Sequence, residues 1–170
     1  RLSGIASLTK QYVNKVNSSG IKILDTRKTT PGLRLFEKYA VKVGGGYNHR
    51  LDLSSGLLIK DNHWVASKDD FYKIIRDYNL DLPIQVEVDN IAQLTELLEY
   101  RIDAILLDNM SPEYAKKCVD TIRSKSKSTF IEISGCVTLE NLSDYIIKGV
   151  DGISSGALMH QAQNQKIKLE

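Results

Sequence analysis

The chain is poor in the residues that build disulfide-rich or membrane-spanning proteins. Its 170 residues include two cysteines, three prolines and one tryptophan. Cys118 and Cys136 form no C-x-x-C pair and are too few for a disulfide framework, so we expect a reducing compartment and a cytoplasmic protein. No apolar run approaches the roughly 18 residues of a membrane span, and no signal-peptide pattern opens the chain. We therefore expect neither a secreted disulfide scaffold nor a membrane protein.

The chain also lacks a large excess of charge of either sign. Lysine and arginine number 23 against 21 aspartate and glutamate, a net charge of +2. The basic residues are spread along the chain, and their one dense alternation, residues 123–127, is typical of a solvated helix end. We therefore expect no nucleic-acid partner. The length suits one globular domain, and the chain opens at Arg1 on an amphipathic segment, so we expect a piece of a longer protein.

Short apolar runs alternate with segments of helical periodicity. The predicted strands are residues 21–25, a strand ending at Lys60, and residues 84–88, 103–108, 129–134 and 151–154. Hairpin signals such as Asn-Gly are absent between them. This order predicts parallel β/α units in a single domain.

Helix-start signals separate these strands. Thr30-Pro31 and Ser111-Pro112 have the residues expected at an N-cap and first helical position, and Thr138 is predicted to cap a further helix. Ser67 with Asp70 resembles a capping box for a helix to about Tyr78. Three apolar patterns predict further helix faces: Leu2, Ile5, Leu8 and Tyr12 in residues 2–16; Leu33, Phe36, Tyr39, Ala40 and Val43 in residues 33–43; and the segment 91–99.

The alternation is compatible with an open doubly wound sheet or with a β/α barrel. Polar residues end nearly every strand, whereas an open sheet concentrates its ligand contacts at one switch point. We therefore favour the barrel, with its site at the C-terminal strand ends. A complete eight-unit barrel needs about 250 residues. The chain is thus expected to form an incomplete or open α/β barrel with about six parallel strands.

The residues at the strand ends fall into three groups. Arg27 and Lys28 directly follow a buried strand, which favours a functional role over a solvated strand end. Glu87 and Asp108 each end a strand and suit either a metal site or a structural ion-pair network, two readings that spacing alone does not separate. Two Ser-Gly pairs, 134–135 and 155–156, each lie between a strand and a helix, as in phosphate-binding loops, although a lone Ser-Gly is usually a turn.

Six sequence blocks together resemble the quinolinate phosphoribosyltransferase family. The blocks are residues 1–6, 25–32, 44–50, 59–63, 107–110 and 137–141, and the resemblance extends in the same order over essentially the whole chain. It implies a barrel domain spanning residues 1–170, preceded in the family by a mixed α/β domain that is not seen in this chain. The implied reaction transfers phosphoribosyl from phosphoribosyl pyrophosphate to quinolinate, with loss of pyrophosphate and CO2, giving nicotinate mononucleotide for NAD synthesis.

The resemblance also implies roles for individual residues. Quinolinate would be bound by Arg27, His49, Arg50 and Lys60, since planar carboxylates suit forked guanidinium donors with added cations. Lys28 would reach the donor phosphates, Glu87 and Asp108 would act through Mg2+, and the sugar 5′-phosphate would lie against Ser134, Gly135, Ser155 and Gly156. The family completes its site with a basic residue from a partner subunit, which implies a homodimer or higher oligomer.

Some features depart from the family or leave alternatives open. Cys136 stands where a second glycine is usual and Met159 where threonine is frequent, which bears on the phosphate cradle. One alternative is a sister barrel for another aromatic acid, or the related molybdenum-transport-associated protein. Another is a non-catalytic phosphate-binding module. The four quinolinate-binding candidates argue against the first, and the retention of both Glu87 and Asp108 argues against the second.

Overall fold

The computed structural model describes residues 1–60, 72, 73, 75, 77, 82–166 and 168. Its helices are α1 (Leu2–Val16), α2 (Arg34–Val43), α3 (Ile91–Leu97), α4 (Pro112–Lys125) and α5 (Ala157–His160), with a 3-10 helix at Leu142–Tyr145. Its strands are β1 (Lys22–Leu24), β2 (Leu57–Ile59), β3 (Ile84–Val88), β4 (Ala104–Asp108), β5 (Phe130–Ser134) and β6 (Gly152–Ser154). The helix predicted from Ser67 to about Tyr78 lies for the most part outside the described residues.

The six strands form one parallel sheet in the order β1-β6-β5-β4-β3-β2. β1 and β2 lie at its two edges, so the described strands do not close into a barrel. The predicted open, parallel β/α architecture is therefore confirmed. No helix in the described part of the chain is long and apolar enough to cross a membrane.

The two faces of the sheet differ sharply in polarity. In β5, Ile131 and Ile133 are fully buried on the outer face, which the helices cover, while Glu132 between them points to the inner face. Strand register places Glu132 level with Leu106 of β4, and Leu106 level with Glu87 of β3. Since side chains alternate along a strand, the inner face carries two glutamates, Glu87 and Glu132, on either side of Leu106. Parallel sheets are usually apolar on both faces, so this pattern marks the inner face as the wall of a site.

Two of the predicted helix starts are wrong, and one is confirmed. Ser111 caps α4, and Pro112 is the first residue of that helix. The Ser111 hydroxyl accepts from Tyr114 N–H at 3.3 Å. Helix α2 instead begins at Arg34, because the backbone N–H and hydroxyl of Thr30 both donate to Glu37, at 3.0 and 2.8 Å.

Thr138 also does not cap a regular helix. It exchanges hydrogen bonds with Asn141, and a 3-10 turn follows at Leu142–Tyr145. The reciprocal contact has the form of a capping box, but it is followed by a turn and the 3-10 helix rather than by an α-helix.

The predicted apolar face of α2 is not the buried one. Phe36, Tyr39 and Val43 are 57, 65 and 61% exposed, whereas Glu37 and Lys38 are buried. The two charged residues are buried because each has a tertiary partner: Glu37 accepts from Arg1 and Thr30, and Lys38 pairs with Asp25. The apolar side of α2 is consequently left on the surface.

Helix α1, by contrast, covers most of its apolar stripe within this chain. Ile5 and Tyr12 are fully buried, and α1 packs on α2 and β1. Among the described helices, α2 carries the larger exposed apolar surface.

Candidate active site

A cavity of about 400 Å³ lies on the polar inner face, at the carboxyl ends of the strands. Eight of the predicted site residues line it: Arg27, Lys28, His49, Arg50, Lys60, Glu87, Asp108 and Ser134. They come from β3, β4 and β5 and from the segments after β1, before β2 and directly after β2. Asp25, Thr26, Leu58, Leu106, Glu132 and Ser154 complete the lining. Gly135, Ser155 and Gly156 lie beyond this lining.

Asp25 ties the loop carrying His49 to the end of β1. Its carboxylate is fully buried and pairs with Lys38 Nζ, and it also accepts from Asn48 Nδ2 at 2.5 Å and from His49 N–H at 2.9 Å. Burial raises the pKa of Asp25, and the contacts with Lys38, Asn48 and His49 oppose that rise. Asp25 thus contacts both Lys38 of α2 and two consecutive residues of the loop, and these contacts hold residues 48–50 in one place beside the cavity.

Two guanidinium groups share the cavity. Burial and the nearby charge of Arg27 lower the pKa of Arg50, while Glu87 acts in the opposite direction. Arg27 Nε is buried and has no hydrogen-bond partner within the described part of the chain. A pair of close, partly desolvated cations with an unused donor suits a ligand that carries more than one negative charge.

Lys60, directly after β2, contacts Glu87 near the end of the neighbouring strand β3. Lys60 Nζ donates to Glu87 Oε2 at 2.9 Å, and Glu87 is only 8% exposed. One predicted cation and one predicted acid are thus already in contact. The contact supports the ion-pair alternative, and the metal-binding role of Glu87 stays a prediction.

Asp108 lies on the same inner face as Glu87, one strand away. Its Oδ2 accepts from Asn109 Nδ2 at 2.7 Å. Across the described residues, no group of three or more histidine, cysteine, aspartate or glutamate side chains is arranged to hold a metal ion. Two carboxylates facing one cavity nevertheless fit Mg2+, which keeps several waters and is held by one or two carboxylates plus substrate phosphates.

The loop after β5 has the tight backbone expected of a phosphate cradle. Gly135 and Cys136 have φ values of +84° and +52°, and a Cβ on Gly135 would lie 2.2 Å from Asn109 Oδ1. Glycine is therefore required at 135. Cys136 adopts the left-handed conformation that glycine favours, so the glycine usual in the family would suit this backbone better than cysteine does.

The second Ser-Gly pair is engaged differently. Ser155 is buried, its N–H donates to Leu24 O at 3.2 Å and its hydroxyl donates to Val137 O at 2.5 Å. These contacts hold β6 to its neighbours. Gly156 lies beside Lys28, whose Cδ would be 3.8 Å from an added Cβ. The phosphate-binding roles of Ser134, Gly135, Ser155 and Gly156 stay a prediction.

Comparison with known proteins decides the family. The family described as "Quinolinate phosphoribosyl transferase, C-terminal domain" matches residues 5–170. The chain belongs to this family. It is similar to "Nicotinate-nucleotide pyrophosphorylase [carboxylating]" of Mycobacterium leprae, with 42% identity over 99% of this chain and 60% of the relative. A probable enzyme of the same name from Bacillus subtilis is 41% identical over 100% of this chain and 59% of the relative.

Solved structures agree with the sequence relatives. Nicotinate-nucleotide pyrophosphorylase from Ehrlichia chaffeensis superposes with a TM-score of 0.86 and 44% identity, covering 95% of this chain and 59% of that one. Nicotinate-nucleotide pyrophosphorylase from Francisella tularensis superposes with a TM-score of 0.82 and 36% identity, covering 95% of this chain and 57% of that one. This phosphoribosyltransferase-family chain thus spans about 60% of the length of the relatives it matches, and its resemblance to the family is confirmed.

Sequence reasoning missed two acidic residues of the site. Glu132 lies in the middle of β5 with 1% exposure, and Asp25 is fully buried at the end of β1. The available signal was a single acid inside an apolar strand, as in Ile131-Glu132-Ile133. An unpaired charge is too costly to bury, so such an acid indicates partners on neighbouring strands.

Proposed function

We propose that the protein containing this chain transfers phosphoribosyl from phosphoribosyl pyrophosphate to the ring nitrogen of quinolinate, and that loss of CO2 then gives nicotinate mononucleotide. The proposal is supported by family membership and by the relatives' names. The word "carboxylating" in those names describes the same reaction run in reverse.

One observation carries the proposal: a single cavity brings cations and acids together. Arg27, Arg50 and Lys60 line it with Lys28, while Glu87 and Asp108 lie on β3 and β4. The guanidinium groups suit the two carboxylates of quinolinate. The acids suit a diphosphate that arrives with a divalent cation, because bare carboxylates would repel it.

The first step needs no protein nucleophile. The ring nitrogen of quinolinate attacks the anomeric carbon of the donor, the C–O bond to pyrophosphate breaks, and its electron pair leaves with pyrophosphate. Arg27 and Arg50 would hold the ring in line, and Lys28 would stabilise the charge that develops on the leaving group. Mg2+, when bound through Glu87 and Asp108, would supply further charge stabilisation to the pyrophosphate.

The second step breaks the bond between the ring and the carboxylate beside the nitrogen. CO2 leaves, the electron pair stays on the ring carbon next to the positively charged nitrogen, and that carbon takes up one proton. The residues need only hold the carboxylate in a site with little water, and burial of the cavity wall supports this.

The active unit is proposed to be a cytoplasmic homodimer or higher oligomer with shared sites. The support is the exposed apolar side of α2, where Leu35, Phe36, Tyr39 and Val43 are each more than half exposed. Patches of this kind mark interaction surfaces. Residues 1–170 alone are expected to show almost no turnover, and the full-length protein to be a dimer. Light scattering with an activity assay on both tests this, and a fully active monomer of residues 1–170 would contradict it.

The substrate is tested by product analysis. The full-length protein is incubated with phosphoribosyl pyrophosphate, Mg2+ and either quinolinate or nicotinate, and the products are identified by mass. Nicotinate mononucleotide is expected from quinolinate but not from nicotinate. Equal turnover of nicotinate would indicate a sister enzyme, and binding of the donor without turnover would indicate a non-catalytic module.

A further inference from the structure

Glu132 is a buried acid in a site that is otherwise built to attract anions. Its carboxylate lies on the inner face of β5 with 1% exposure, and it lines the cavity. Oε2 accepts from Gln85 Nε2 at 2.7 Å and contacts His49 Nε2 at 3.2 Å, while Oε1 has no partner among the described side chains and backbone. A negative charge here works against binding of a dianion, so its presence calls for a compensating role.

The hydrogen bonds around His49 show what that role is. Arg50 N–H donates to His49 Nδ1 at 2.8 Å. A backbone N–H only donates, so Nδ1 is the acceptor and carries no proton. The ring proton is therefore on Nε2, where it is donated to Glu132 Oε2. This assignment of the tautomer follows from the hydrogen-bond network.

All four polar atoms of His49 are thereby held. Its N–H donates to Asp25 at 2.9 Å, its carbonyl accepts from Lys38 Nζ at 3.1 Å, and its two ring nitrogens are engaged by Arg50 and Glu132. In this arrangement His49 has no free donor for a substrate carboxylate. It links Glu132 to the backbone of Arg50, whose guanidinium is beside Arg27.

We propose that Glu132 is a positioning residue: it fixes the Nε2–H tautomer and the ring orientation of His49, and through His49 it sets the place of Arg50 at the quinolinate end of the cavity. The inference rests on the proposed function for its substrate. At this point of β5 the Glu132 carboxylate supplies the acceptor for Nε2–H, and this holds the imidazole in the form that can accept from Arg50 N–H.

Variants of the full-length protein separate this role from a purely structural one. Glu132→Ala removes the acceptor and is expected to raise the KM for quinolinate about tenfold, with the KM for the donor changed less than about twofold. Glu132→Gln keeps an oxygen that accepts from Nε2–H, so it is expected to restore the KM to within about threefold. If Glu132→Gln is as impaired as Glu132→Ala, the charge rather than the acceptor matters and the proposal fails.

A spectroscopic measurement tests the tautomer without relying on activity. Proteins labelled with 15N-histidine are compared by NMR, and His49→Asn identifies the His49 signals by their loss. The wild type and Glu132→Gln are expected to show the proton on Nε2, and Glu132→Ala a mixture. Gln85→Met, which removes the other donor to Glu132, is the matched control and is expected to keep the wild-type tautomer.

The outcomes are distinguishable. A proton on Nδ1 of the wild type overturns the proposal, even if Glu132→Ala fails to fold. An unchanged quinolinate KM in Glu132→Ala also overturns it. Absence of quinolinate turnover in the wild type, with the Nε2–H tautomer present, contradicts the proposed function and not the assignment of Glu132 to His49.

Discussion

The contact between Lys60 and Glu87 predicts that the two substrates help each other to bind. In the proposed function Lys60 binds quinolinate and Glu87 binds the metal–diphosphate donor, yet in this structure the two side chains are paired at 2.9 Å. Quinolinate must draw Lys60 away from that acid. Any ligand that engages Glu87 releases Lys60 and so raises the affinity for quinolinate. By thermodynamic linkage, bound quinolinate raises the affinity for the donor by the same factor.

Glu87→Gln is the perturbation that exposes this competition. The Lys60 side chain is 45% exposed and that of Glu87 is 9% exposed, so solvent at the lysine weakens the attraction although the acid is buried. Such a pair is worth at most about 1 kcal/mol, which corresponds to about a fivefold change in a binding constant. Because the amide oxygen still accepts one hydrogen bond, we expect quinolinate to bind the free variant about three- to fivefold more tightly.

Asp108→Asn provides the matched control. It removes one negative charge from the same cavity, but Asp108 Oδ2 is bonded to Asn109 rather than to Lys60. Isothermal titration of the full-length protein with quinolinate is expected to show a smaller gain in Asp108→Asn than in Glu87→Gln. With Mg2+ and pyrophosphate present, the advantage of Glu87→Gln over the wild type is expected to shrink.

Two results would refute this reasoning. If both variants gain affinity equally, the cause is the overall charge of the cavity and not the Lys60 contact. If Glu87→Gln binds quinolinate no more tightly than the wild type, the ion pair does not compete with the substrate.

Three further predictions concern binding and stability. Arg27→Ala or Arg50→Ala is expected to weaken quinolinate binding by about 2 to 5 kcal/mol, with less effect on the donor, because a desolvated charge pair is broken; calorimetry measures both. Lys28→Met is expected to slow the donor-dependent step and leave quinolinate affinity nearly intact, as pre-steady-state kinetics and titration would show. Glu37→Gln is expected to lower the free energy of unfolding by about 2 kcal/mol at neutral pH, since Glu37 accepts three hydrogen bonds as a buried carboxylate.

The pH dependence of the last variant has a definite sign. Burial alone would raise the pKa of Glu37, but hydrogen bonds from Thr30 and Arg1 lower it below its ordinary value of 4.5. The folded state therefore holds this proton less tightly than the unfolded state, so the stabilisation is present above about pH 4.5 and is lost as the pH falls through the folded pKa. Urea unfolding of the wild type and the variant is expected to converge in acid.

Each of these outcomes has a counterpart that would contradict it. Equal loss of quinolinate and donor binding in Arg27→Ala would remove the arginine from the quinolinate set. A large loss of quinolinate affinity in Lys28→Met would move that lysine into it. A constant stability difference between the wild type and Glu37→Gln down to pH 3 would show that the charge of Glu37 is not what stabilises the fold.

Local patterns were sufficient to predict the architecture and most of the cavity lining. The position of Arg27, Lys60, Glu87 and Asp108 follows from where an apolar run ends, because carboxyl ends of parallel strands share one edge of the sheet. That information is contained in a few consecutive residues. The parallel order of the sheet followed in the same way from the alternation of periods.

The remaining features depend on partners that are distant in the chain. Glu37 and Lys38 are buried on α2 because of Arg1, Thr30 and Asp25, so helix periodicity alone selected the wrong face. Glu132 faces the cavity because of strand register. Neither tertiary pairing nor strand register can be predicted from one short segment of sequence, and both decide where a charge can be buried.

The central claim is the decarboxylating transfer itself, and a labelled substrate tests it most directly. The full-length protein is supplied with phosphoribosyl pyrophosphate, Mg2+ and quinolinate carrying 13C in the carboxylate next to the ring nitrogen. We predict one labelled CO2 and one pyrophosphate for each nicotinate mononucleotide formed, with unlabelled product. Retention of the label in the nucleotide, or release of pyrophosphate without CO2, would contradict the account.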